Sequence, residues 1–155
     1  MSFLIQALPS SQFSNLFQLP DDELLRRGAI LRTADKRPGF PCRVSLIDAH
    51  IGERVLLVNY EHQPAPTPFR SCHAVYVREN AVEARCEPGE VPDLFRSRLM
   101  SIRAFDGSGM LLDADVAEGR VLEPSIERLL ASETVEYVHL HYAKPGCYAA
   151  RVIRI

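Results

Sequence analysis

Apolar and polar residues alternate along residues 135–142 and again along 148–155, with Pro145-Gly146-Cys147 between the two stretches. That pattern predicts two strands closed as an antiparallel hairpin with a loop at 143–147. If Tyr142 pairs with Tyr148, His139 lies opposite Arg151 and Glu136 opposite Arg154, the latter an opposite-charge contact worth about 0.2–1 kcal/mol. Side chains alternate across a strand, so His139 and His141 emerge on one face with Tyr137, Ala149, Arg151 and Ile153.

The same reading upstream gives a strand over 3–8, then a helix capped by Ser10 or Ser11 with Phe13, Leu16 and Phe17 on one side. Asp21-Asp22-Glu23 followed by Arg26-Arg27-Gly28 predicts a short helix, with acids at its positive end, bases at its negative end and a glycine stop. A strand over 29–34 follows. Within 54–60, Val55-Leu56-Leu57-Val58 reads as a strand buried on both faces, central in a sheet that it shares with the terminal hairpin. Residues 74–78 form another strand, and Pro92 opens a short helix over 92–98. Strands at 101–106 and 110–116 form a hairpin around Asp106-Gly107-Ser108-Gly109. Arg103 there faces Asp113 and shares a side with Asp115, a solvated ion pair. A helix over 124–132 turns Ile126, Leu129 and Leu130 inward. Many short strands, tight turns and few helices define an α+β class with a mainly antiparallel sheet, in a single domain over 1–155.

Composition narrows the function classes. The chain has 155 residues, is 46% hydrophobic and carries a net charge of −2, a globular profile. Its pI near 6.2 and the absence of any basic run longer than two residues exclude a phosphate-tracking surface, so no nucleic acid is expected. No apolar run approaches the ~20 residues that span a bilayer, so no membrane association is expected either. The first residues lack a basic segment followed by an apolar core. Cysteines at 42, 72, 86 and 147 have no paired spacing, which predicts reduced thiols and a cytoplasmic location.

Three stretches carry candidate chemistry. The terminal hairpin offers His139, His141, Cys147 and Arg151. Asn59-Tyr60-Glu61-His62 follows the apolar strand, and three prolines at 64, 66 and 68 stiffen the connection that places Arg70. Pro38-Gly39-Phe40-Pro41-Cys42-Arg43 is a bent segment in which a buried structural Cys42 outranks a nucleophilic one.

With these residues in view, the chain resembles a bacterial family catalogued as Domain of Unknown Function 1203. The resemblance rests on 38–46 (Pro-Gly-Phe-Pro-Cys-Arg-Val-Ser-Leu), Tyr60-Glu61-His62, Val77-Arg78-Glu79, Asp113-Ala114-Asp115-Val116, His139-x-His141 and Gly146-Cys147-Tyr148-Ala149-Ala150-Arg151. It implies no activity, substrate or cofactor. Cys72 and His73 stand where the chain departs from the family pattern, which makes them poor candidates for a shared function.

The residues point first to a pocket for a small anionic or polar molecule, with or without catalysis. Arg43, Arg70 and Arg151 would hold the anion beside Tyr60 and Glu61, with His62, His139 and His141 as acid-base groups and Cys147 as a thiol. No cofactor and no metal ligand is assigned. A rival reading is a homo-oligomeric interaction module, a homodimer among the possibilities, whose terminal strand pairs edge to edge. A second alternative is a metal on the His-x-His pair, with a third ligand from His62, Glu61 or Cys147. That alternative ranks behind the plainer reading of two ordinary histidines on a half-exposed strand face. His62 is expected to converge on the His139/His141 face.

Overall fold

The computed structural model describes residues 2–155. Its strands are β1 (Phe3–Gln6), β2 (Ala29–Thr33), β3 (Arg54–Gln63), β4 (Ser71–Arg78), β5 (Leu99–Phe105), β6 (Leu111–Glu118), β7 (Tyr137–Tyr142) and β8 (Tyr148–Arg154). The α-helices are α1 (Asp21–Arg26), α2 (Asp93–Arg96) and α3 (Leu122–Leu130). The strands form two antiparallel sheets, a five-stranded one in the order β1-β8-β7-β5-β6 and a three-stranded one in the order β2-β3-β4. The α+β class follows directly. The apolar run of β3 is central in its own sheet, as its burial pattern predicts, but β3 and the terminal hairpin lie in different sheets. The expectation of one shared sheet is therefore corrected.

Two compact units divide the described chain, one made of residues 2–6, 61–72 and 85–155, the other of 7–60 and 73–84. In the first, α3 buries Leu122, Ile126, Leu129 and Leu130 against β5, β6 and β7. Arg128 of α3 pairs with Asp113 at 3.0 Å and Asp115 at 3.2 Å. Those acids lie across from Ala104 and Ile102, so α3 covers the sheet face opposite His139. In the second unit, Phe40 packs with Ala34, Ala49, Val55 and Tyr76.

Several boundaries differ from the sequence reading. The first strand ends at Gln6, and the stretch after Pro9 forms two 3-10 segments, Ser10–Gln12 and Ser14–Gln18, without a side-chain cap. Pro20 stops that stretch before a full helix develops. The last helix starts two residues earlier than Pro124, at Leu122.

The central hairpin departs in register. Phe105 pairs with Leu111, but a bulge then shifts the ladder, so Arg103 faces Ala114 while Asp113 faces Ala104. One extra residue moves every side chain beyond it to the other face. Arg103 is therefore on the opposite side of the sheet from Asp113 and Asp115, and the Arg103–Asp113 pair does not form.

The terminal hairpin keeps the expected register at Tyr137–Ile153, His139–Arg151 and Leu140–Ala150. A second bulge beside the loop pairs His141 with Tyr148, where Ala149 was expected. Arg154 does not meet Glu136; its guanidinium donates to the carbonyls of Leu130, Ser132 and Val135. On its outer side β8 pairs with β1. Its edge is thus occupied, which removes the geometry on which the edge-pairing homodimer rested.

Candidate functional site

All six residues of β7 are buried, so the histidine face is not the half-exposed surface that alternation suggested. One face lies under α3. Over the other runs the end of β3 and the connection that follows. Gln63 Nε2 donates to the Tyr137 hydroxyl at 2.8 Å, and the Thr67 hydroxyl donates to the Gly109 carbonyl at 3.1 Å. The connection passes so close to the β5–β6 turn that a Cβ on Gly109 would sit 2.4 Å from Ala65 Cβ, at a backbone φ of +89°. Only glycine suits both conditions. Gly109→Ala is expected to cost about 1–3 kcal/mol in a urea melt by disturbing this overlay.

That overlay brings His62 onto the face of His139 and His141. The ring of His62 lies 5.6 Å from His139 and 5.0 Å from His141, centroid to centroid, and the latter two are 6.2 Å apart. Convergence of the three is thus observed. Tyr148 stacks on His62 at 5.2 Å and meets His139 and His141 edge-on. It reaches them because the bulge puts it, not Ala149, beside His141.

The hydrogen bonds fix how two of these rings present themselves. A carbonyl only accepts, so His141 Nδ1–H donates to the Gly146 carbonyl at 3.0 Å. That leaves Nε2 as the lone-pair nitrogen of a neutral ring. The Ser71 hydroxyl commits its one proton to the Phe69 carbonyl at 3.1 Å. Ser71 Oγ, 3.2 Å from His62 Nε2, must then accept from it, which makes Nδ1 the lone-pair nitrogen of His62. His62 Nδ1, His139 Nδ1 and His141 Nε2 are all buried, and His139 Nδ1 has no hydrogen-bond partner. One ring nitrogen from each histidine can be chosen so that the three lie within 4.8 Å of one another.

His139 and His141 are held neutral. Burial, then the charges of His62, Arg151 and Arg103, push the His139 pKa down to about 3. Burial outweighs the Gly146 hydrogen bond and takes His141 down to about 2. Neutral imidazoles are the form that binds metal.

The other sequence candidates fall in different places. Glu61 alternates away from His62 and pairs with Arg70 at 3.0 Å on the surface. Arg151 is exposed, its guanidinium 4.1 Å from the Tyr137 ring centroid. Cys147 is partly buried and is not one of the three grouped side chains. Arg43 and Tyr60 belong to the other unit, where Arg43 is buried and donates to the Pro41 carbonyl at 2.7 Å and Tyr60 packs 6.0 Å from Phe13. Buried Cys42 accepts from the amides of Ser45 and Arg78, a structural thiol. Cys72 is exposed.

Three residues of the site escaped the sequence reading. Ser71 sits at the start of a strand that reads as beginning at 74, and Tyr148 was placed on the wrong side. Arg103, set aside as half of an ion pair, lies directly across from His139, as Ser101 does from His141. The signal for both placements was parity along the strand, which two bulges obscured.

Fold and site together define an α+β protein built on two antiparallel sheets, with a cluster of three buried histidines. The chain belongs to the family described as Protein of unknown function (DUF1203), whose model matches residues 39–154 and so spans all three histidines. No curated protein and no solved structure matches it. No helix among the described residues is long and apolar enough to cross a membrane.

Proposed function

We propose that this protein binds a divalent d-block metal ion, Zn²⁺ in the first place, through His62, His139 and His141. The observation that carries the reading is the convergence of one ring nitrogen from each of three buried histidines to within 4.8 Å. Tetrahedral zinc with bonds of about 2.0–2.1 Å spaces its nitrogens at about 3.3 Å, so small ring rotations close the set. Outward hydrogen bonds from ligating imidazoles to a carbonyl or hydroxyl orient the rings and raise their basicity. Gly146 and Ser71 are placed for that role. An all-imidazole set suits zinc and its neighbours rather than Ca²⁺ or Mg²⁺, which take oxygen ligands. Three protein ligands leave a fourth position for water or substrate, the arrangement of catalytic rather than structural zinc.

A metal-free anion pocket, the first expectation from the sequence, fits less well. The buried nitrogens His62 Nδ1 and His141 Nε2 are the lone-pair atoms of their rings, and lone pairs repel an anion. Four free thiols suit a reducing, cytoplasmic setting for such a site.

Zinc titrated by calorimetry into the metal-stripped protein at neutral pH should bind at one equivalent. Ser71→Ala should weaken it about 10–100-fold. Absence of binding, or equal binding after all three histidines are replaced, would refute the reading.

A further inference from the structure

Arg103 and Arg151 flank His139 on adjacent strands, one from β5 and one from β8. Residues directly opposite across antiparallel strands share a face at about 5 Å between Cβ atoms, so both guanidinium stems rise beside the histidine cluster. Neither makes an ion pair with a carboxylate among the described residues. Arg103 is half-buried, and its Nε donates to the Ser101 hydroxyl at 3.2 Å, which draws its side chain along β5 toward the position opposite His141.

Two cations without a carboxylate partner, beside three imidazole ligands, create an electrostatic problem for any metal bound there. A divalent ion would add two positive charges to a site without a carboxylate. Such a site is balanced by an anion, and a guanidinium fork matches the geometry of carboxylate and phosphoryl oxygens. The geometry points to an oxyanion, carboxylate or phosphate, as the exogenous ligand of this site, coordinated at the open position of the metal and held by Arg103 and Arg151. This rests on the metal reading above and supplies the chemical class of its substrate. Metal and anion would then bind cooperatively, each strengthening the other by the same factor.

The test uses zinc-loaded protein freed of excess metal, with its zinc content measured, titrated calorimetrically with inorganic phosphate and with acetate. At least one of the two should bind at one equivalent, and at least tenfold more tightly than to the metal-stripped protein. Arg103→Gln and Arg151→Gln should each weaken it at least tenfold per zinc-loaded molecule. Arg151 is exposed, so its variant keeps the test open should Arg103→Gln fail to fold. Zinc loading without binding of either anion, or anion binding indifferent to both arginines, would overturn this inference alone. Failure to load zinc would overturn the metal reading and this inference with it.

Discussion

Replacing His139 by leucine is expected to lower zinc affinity by at least about 100-fold, above the loss expected for an outer-sphere partner, while leaving the metal-free protein at least as stable as before. The two effects have one cause. His139 is 3% exposed and its Nδ1 lacks a hydrogen-bond partner, and a buried unsatisfied polar atom costs about 1–3 kcal/mol. Leucine has a similar volume and removes that cost, so a gain of about 1 kcal/mol is expected after loss of the ring contacts. A histidine kept for packing would give the reverse, a loss of stability with no effect on metal. Adding His62→Ala to His139→Leu should cost little further affinity, because the two act on one site. Calorimetry with zinc and urea melts of the stripped variants separate these outcomes.

The second large effect is sensitivity to mild acid. His139 and His141 have folded-state pKa values of about 3 and about 2, against about 6.5 in an unfolded chain. Between these limits the unfolded chain takes up protons that the folded protein refuses. Stability is therefore complete above about pH 6.5 and falls as the pH drops through the window toward 3. The slope is about 1.4 kcal/mol per pH unit for each histidine. From pH 7 to pH 5 the two together should remove roughly 4 kcal/mol from the metal-free protein. Urea melts at the two pH values measure this directly, and the double variant His139→Leu/His141→Leu should lose most of the difference. An equal loss in that variant would assign the acid sensitivity to other groups.

Much of the fold was legible because local signals agreed with one another. Gly28, at a φ of +67°, closes the acid-to-base helix as expected, and the loop length and alternation placed His139 opposite Arg151. What escaped depended on single inserted residues and on tertiary overlay. The bulge between Ala104 and Phe105 moved Arg103 from a presumed surface ion pair to the histidine face. The bulge at His141 replaced Ala149 by Tyr148. Neither has a signature in composition or periodicity, since each shifts parity by one position. The Glu136–Arg154 pair shows a different failure. The register it was used to support held mid-strand, yet Arg154 binds three carbonyls instead. His62 reached the cluster by a route the sequence did not suggest, from the end of a strand in a different sheet, held by Gln63 and Thr67.

X-ray absorption at the zinc K-edge of the zinc-loaded protein reads the ligands of the bound metal themselves. A first shell of three imidazole nitrogens and one oxygen ligand at about 2.0–2.1 Å is expected, with the outer-shell scattering of imidazole rings and no sulfur. A shell containing sulfur at about 2.3 Å, which would bring in Cys147, or one made of oxygens alone, would contradict it.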